Sequence, residues 1–128
     1  MRLLLDTHVF LWYISGDNRL GGSIRDAISD PKNDVYLSVI SVWESIIKHQ
    51  IGKLQLPRPP EEYLPAQRAR HLVSSLELDE ASVANLASLP PIHRDPFDRM
   101  LVCQAIQHNL TIVTVDDAAC AYTNNVLR

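Results

Sequence analysis

Cysteine is scarce in this chain: two residues, Cys103 and Cys120, among 128. Two isolated thiols support neither a disulfide framework nor a zinc site, so the expected setting is a reducing compartment with both thiols free. Glycine is scarcer than proline, four against eight, and no glycines cluster into a loop that could cradle phosphates. Excess positive charge is missing as well. The formal net charge of −3 argues against holding nucleic acid by bulk electrostatics, though it leaves room for a local basic patch. The opening Leu3-Leu4-Leu5 is cut off by Asp6. That run is too short for a signal-peptide core or a membrane span, so a soluble cytoplasmic protein with no membrane partner is expected. The five histidines show no metal-ligand spacing, and no Ser-His-Asp or Cys-His arrangement can be argued. Internal repeats and low-complexity stretches are absent.

What is present is a globular composition, 46% apolar and 21% charged, in a length that matches one domain over 1–128. Short apolar or β-branched runs at 2–5, 35–38 and 110–114 suit strands buried on both faces of a parallel sheet. A fourth strand at 72–78 and a terminal pair at 126–127 are weaker candidates. Helical patterns fall at 7–14, 23–29, 39–51, 60–71, 79–89 and 96–108. Strands alternating with helices predict right-handed crossovers and a three-layer α/β/α domain around a mostly parallel sheet. The stiff Leu56-Pro57-Arg58-Pro59-Pro60 connector stays inside this domain, because neither flank could fold alone.

In such a sheet, ligands bind outside the carboxyl ends of the strands. Four acids are expected there: Asp6 ends the first strand, Glu44 follows the second, Asp98 opens the helix begun by Asp95-Pro96, and Asp116 follows the last long strand. Each also has a local explanation. Asp95 would be an N-cap with Pro96 at the first helical position, Asp98 would face the helix dipole, and Ser41-x-x-Glu44 has the spacing of a capping box. Asp116 or Asp117 would cap a short helix toward Tyr122. Asp6 resists such an account, since a carboxylate directly after three buried leucines would be partly desolvated without a partner. The local explanations also leave unexplained why four acids converge. Clustered carboxylates repel unless a hard divalent cation such as Mg²⁺ or Mn²⁺ joins them, and metal-assisted phosphodiester hydrolysis is the chemistry such a cluster suits.

Four stretches then carry a resemblance: "LLLDTHVFLW" (3–12), "LSVISVWESIIKHQIGKLQLP" (37–57), "HRDPFDRMLVCQA" (93–105) and "LTIVTVDDA" (110–118). In this order they resemble PIN-domain proteins, and within them the VapC-type toxins of bacterial type II toxin–antitoxin pairs. The resemblance implies a PIN-like fold and a Mg²⁺-dependent endoribonuclease, with Mn²⁺ able to substitute. It also implies a homodimer with RNA as substrate and a cognate antitoxin as partner. Carried over motif by motif, Asp6, Glu44, Asp98 and Asp116 are the catalytic acids, and Asp6, Asp98 and Asp116 hold the metal. Thr114 and Asp95 support them. Cys103 stands where the family often has alanine, a mild departure in a core position.

Arg94 and Arg99 flank the acids and are candidates for substrate phosphate or antitoxin contact. Arg58, Arg68 and Arg70 with Lys48 and Lys53 are candidates for a basic rim. Trp12 and Trp43 read as core or dimer contacts rather than RNA-stacking residues. A phosphatase with Asp6 as nucleophile is disfavoured, because the haloacid-dehalogenase pattern wants a second aspartate where His8 stands. The alternative from another class is a non-catalytic PIN-like module that binds metal and partner.

Overall fold

The computed structural model describes residues 1–91, 95–116, 122–123 and 125–128. Five strands, β1 (Arg2–Leu5), β2 (Asp34–Ser38), β3 (Ser74–Leu76), β4 (Thr111–Val113) and β5 (Val126–Leu127), form one sheet in the order β3-β2-β1-β4-β5. Every pairing is parallel, with Leu4 opposite Tyr36 on one side and Ile112 on the other. The helices are α1 (Thr7–Ser15), α2 (Gly22–Ser29), α3 (Val39–Gln50), α4 (Pro60–Arg70), α5 (Glu80–Ala84) and α6 (Pro96–His108). The chain winds outward from β1 to β3, then returns to place β4 on β1's other side. The strand order therefore reverses beside β1, which makes the gap between β1 and β4 the switch point of the sheet.

Leu3, Leu4 and Leu5 are wholly buried, and the period of two sends them to opposite faces. Leu3 and Leu5 join Val9, Phe10, Ile24, Leu37 and Leu64 on the face covered by α1, α2 and α4. Leu4 joins Ile40, Leu101, Val102 and Ile112 on the face covered by α3 and α6. Burying each leucine stabilises the sheet by roughly 1.5–3 kcal/mol, and this two-faced demand makes 2–5 a continuous apolar run rather than an alternating one.

The expected α/β/α architecture is therefore present, with differences at the edges. The strand expected over 72–78 contracts to Ser74–Leu76. The helix expected over 79–89 breaks into α5 and a 3₁₀ turn at Asn85–Ser88. There the Asn85 amide turns to donate to the Cys103 carbonyl (3.2 Å) and Gln107 Oε1 (3.3 Å), tying the turn to α6. The helix expected to lead toward Tyr122 lies outside the described residues. Cys103 is buried, and desolvation pushes its thiol up in pKa, as suits an inert core thiol. Among the described residues no helix is long and apolar enough to cross a membrane.

Candidate metal and nucleic-acid site

Asp6 ends β1 and caps α1 at once. Its backbone N–H still belongs to the sheet, donating to the Val113 carbonyl (2.9 Å), while its Oδ1 accepts from the His8 N–H (2.9 Å). Its Oδ2 accepts from the Thr114 hydroxyl (2.9 Å), and the same hydroxyl accepts from the Asp116 N–H (3.0 Å). Thr114 thus links the two acids across the switch point. Asp6 is only 8% exposed. Desolvation raises its pKa above the ordinary value, against the lowering pull of the His8 N–H, the Thr114 hydroxyl and the His8 ring, and Glu44 adds a further upward push.

Asp98 arrives from α6. Asp95 takes the N-cap, its Oδ1 accepting from the Phe97 N–H (2.9 Å) and the Asp98 N–H (3.4 Å), with Pro96 at the helix start. Asp6, Asp98, Thr114 and Asp116 then line one cavity of about 20 Å³, closed below by Leu101, Val102 and Ile112. A space of this size holds a single water-sized particle. Its donors are all hard oxygens, set against an apolar base.

Glu44 is placed differently. It is 2% exposed but does not line this cavity. Its Oε1 accepts from the Thr7 hydroxyl (2.8 Å), and its Oε2 is paired with the Lys48 ammonium one helical turn on. Nor does Glu44 complete a capping box, because Ser38 at the end of β2 is the N-cap of α3, accepting from the Ile40 N–H at 3.0 Å. Ser41 is instead inside the helix, bonded to Thr7 (2.8 Å). Lys48 thereby leaves the expected basic rim and joins the acids. Burial costs its ammonium hydration, but the hydrogen bond to Glu44 and the charges of Glu44, Asp95 and Asp98 outweigh that cost and raise its pKa. The i,i+4 spacing of Glu44 and Lys48 was the sequence signal for this pair.

Arg99 lines a different hollow, of about 240 Å³, with Ile40, Trp43, Phe97 and Met100. Its buried Nε has no hydrogen-bond partner among the described residues. Arg58 lines a separate surface hollow with Tyr63 and Gln67. Arg94 and Asp117 lie outside the described residues.

Among the described residues, no three of His, Cys, Asp and Glu are grouped closely enough to hold an ion by themselves. The oxygen-only donor set nevertheless fits Mg²⁺, which binds through one or two carboxylates and keeps several waters rather than requiring a full protein cage.

Fold and site together define a parallel α/β domain with an acidic, oxygen-donor cavity at its switch point. A family model for the PIN domain matches residues 3–124, and the chain belongs to the PIN domain family. Ribonuclease VapC22 of Mycobacterium tuberculosis is 30% identical over 115 residues, covering 89% of this chain and 86% of that protein. Ribonuclease VapC16 of the same organism is 36% identical over 61 residues, 48% of this chain, and the match spans 43% of that relative's length. Among solved structures, VapBC2 from Rickettsia felis bound to a promoter DNA fragment superposes with a TM-score of 0.73 at 16% identity, covering 100% of this chain and 98% of that one. At that identity the likeness concerns the fold.

Proposed function

We propose that the protein is a Mg²⁺-dependent endoribonuclease and the toxin of a type II toxin–antitoxin pair. The observation that carries this reading is the cavity at the β1/β4 switch point, where Asp6, Asp98 and Asp116, far apart in the sequence, line one water-sized space. The ribonuclease names of the curated relatives support the reaction class. The VapBC complexes among the structural neighbours support an antitoxin as partner.

Asp6, Asp98 and Asp116 would supply the carboxylates for Mg²⁺, or Mn²⁺ in its place, with retained waters as the remaining ligands. When bound, such an ion supplies an activated water and neutralises charge developing on a phosphodiester. Thr114 orients Asp6 and Asp116 through one hydroxyl. Asp95 fixes the start of α6 and so the position of Asp98. Glu44 acts through Lys48, pairing with it where its positive charge offsets the mutual repulsion of the acids. A homodimer is part of the same reading. Trp43 is 55% exposed and packs edge-on against Phe97 (5.0 Å between centroids) at the apolar hollow that Arg99 borders, a composition suited to an interface core.

The test is cleavage of total cellular RNA by purified wild type and Asp98→Asn, each with Mg²⁺ and with EDTA, after removal of any co-purified partner. Discrete fragments only from wild type with Mg²⁺ are expected. Intact RNA from folded, metal-loaded wild type would overturn the nuclease and favour a non-catalytic binding module.

A further inference from the structure

The acid cavity borders a second feature on α1. His8, with Nδ1 4.0 Å from Asp6 Oδ1, opens a groove of about 370 Å³ that includes Trp12, Arg19 and Leu54. The His8 and Trp12 rings sit 6.1 Å apart, tilted 48°, one helical turn or about 5.4 Å of axis from each other. Over the Trp12 ring lies the Arg19 guanidinium, its Cζ 4.6 Å from the centroid.

That guanidinium is held in place. Its Nε reaches both Asp17 carboxylate oxygens (3.1 and 3.2 Å) and its Nη2 reaches Asp17 Oδ2 (2.7 Å). Asp17 Oδ1 also accepts from the Arg19 N–H (2.9 Å). Asp17 is anchored in turn, its N–H donating to the Trp12 carbonyl (3.0 Å) and its carbonyl accepting from Arg25 Nη2 (3.0 Å). Gly16, at φ 69°, makes the tight exit from α1 that brings the loop back over Trp12. Despite this clamping, the Arg19 side chain stays 68% exposed.

An exposed arginine clamped over an aromatic ring has already lost much of the rotamer freedom that binding would otherwise cost. Asp17 cancels its charge, so attraction for a phosphate is not what the pair offers. What it offers is a pre-ordered planar surface, and unstacked RNA bases rest on guanidinium planes and aromatic rings. A strand whose phosphate enters the acid cavity must lay its neighbouring nucleotides on the cavity's borders, and α1, which Asp6 caps, is one of those borders.

Resting on the ribonuclease reading above, we propose that Arg19, backed by Trp12 and clamped by Asp17, is a stacking plate for a base flanking the scissile phosphate of single-stranded RNA. It is a specificity-determining surface outside the acid cavity.

The test compares wild type, Arg19→Ala and Arg19→Lys on random-sequence single-stranded RNA 12-mers with Mg²⁺. Asp98→Asn serves as the blank, and circular dichroism checks folding. Lysine keeps the charge but loses the plane. Both Arg19 variants are expected to raise KM about tenfold with kcat nearly unchanged, the scale of one lost base stack, and to redistribute the cut sites. In a Trp43→Phe background, where Trp12 is the remaining tryptophan, RNA added to the Asp98→Asn protein is expected to change Trp12 emission. Wild-type KM for Arg19→Lys would overturn the plate in favour of a phosphate contact. Unchanged KM in both variants, with weakened capture of the antitoxin, would assign the groove to a polypeptide instead. Failure of the wild-type chain to bind or cut RNA at all is a separate result, which removes the ribonuclease reading and the plate with it.

Discussion

Asp6 carries opposed demands. It is nearly buried, it caps α1, and it accepts a hydroxyl from Thr114, yet its burial still raises its pKa. A carboxyl whose folded pKa exceeds its unfolded value disfavours folding once ionised, so its contribution worsens as pH rises from the ordinary 3.8 through the raised value. Asp6→Asn removes that charge while keeping an oxygen for the His8 N–H. We therefore expect Asp6→Asn in EDTA at neutral pH to melt no lower than wild type, with RNA cleavage abolished. Mg²⁺ should raise the melting temperature of wild type more than that of the variant, because a ligand bound only by the native state stabilises it. Thermal melts at several pH values, with and without Mg²⁺, check this. A large loss of stability for Asp6→Asn in EDTA would mean the cap, not the charge, dominates.

At the scale of elements, one buried network ties the two layers that hold the site. Ser38 caps α3 and donates to Gln104 Oε1 on α6 (2.6 Å), and Gln104 Nε2 donates to the Glu77 carbonyl beyond β3 (3.2 Å). Ser38→Ala removes a cap and strands Gln104 in the core, and is expected to cost about 2–3 kcal/mol by urea unfolding. Serine-to-glycine would not rescue it, since the Gln104 partner would still be missing. The exit from α4 shows the reverse case. Leu72 sits at φ 57° and 89% exposed, with the Val73 N–H closing back on the Arg68 carbonyl (2.9 Å). Glycine is the usual residue in this left-handed cap. Leu72→Gly relieves about 1–2 kcal/mol of strain against up to about 1 kcal/mol of added chain entropy. A small net gain in the same unfolding assay, with cleavage unchanged, is expected.

For the whole molecule, the exposed apolar surface is uneven. Trp43, Phe97 and Met100 surround one hollow, and beside it lies the Arg99 Nε, which has no hydrogen-bond partner among the described residues. If this face joins two copies, Trp43→Lys should shift the mass measured by light scattering from dimer to monomer while leaving the circular dichroism spectrum intact. An unchanged dimer would place the interface elsewhere. Since Trp43 adjoins Glu44 in α3 and Phe97 adjoins Asp98 in α6, loss of the dimer is expected to lower cleavage as well.

The sequence by itself determined the α/β alternation, because strands buried on both faces must be apolar throughout and the helices between them carry readable caps, such as Asp95 before Pro96. It also marked Asp6, Asp98 and Asp116 as candidates, since acids at strand ends and helix starts are visible as breaks in apolar runs. Only the tertiary structure decided that Glu44 bonds Thr7 and Lys48 rather than lining the shared cavity. Helical spacing allows a glutamate either role, and packing of α1 against α3 selects one. The same holds for the Arg19 plate: nothing in Gly16-Asp17-Asn18-Arg19 shows where the loop folds, and the left-handed turn at Gly16 lays the guanidinium on Trp12. Local chemistry is written in neighbouring residues, whereas the meeting of distant side chains depends on the crossovers that bring their elements together.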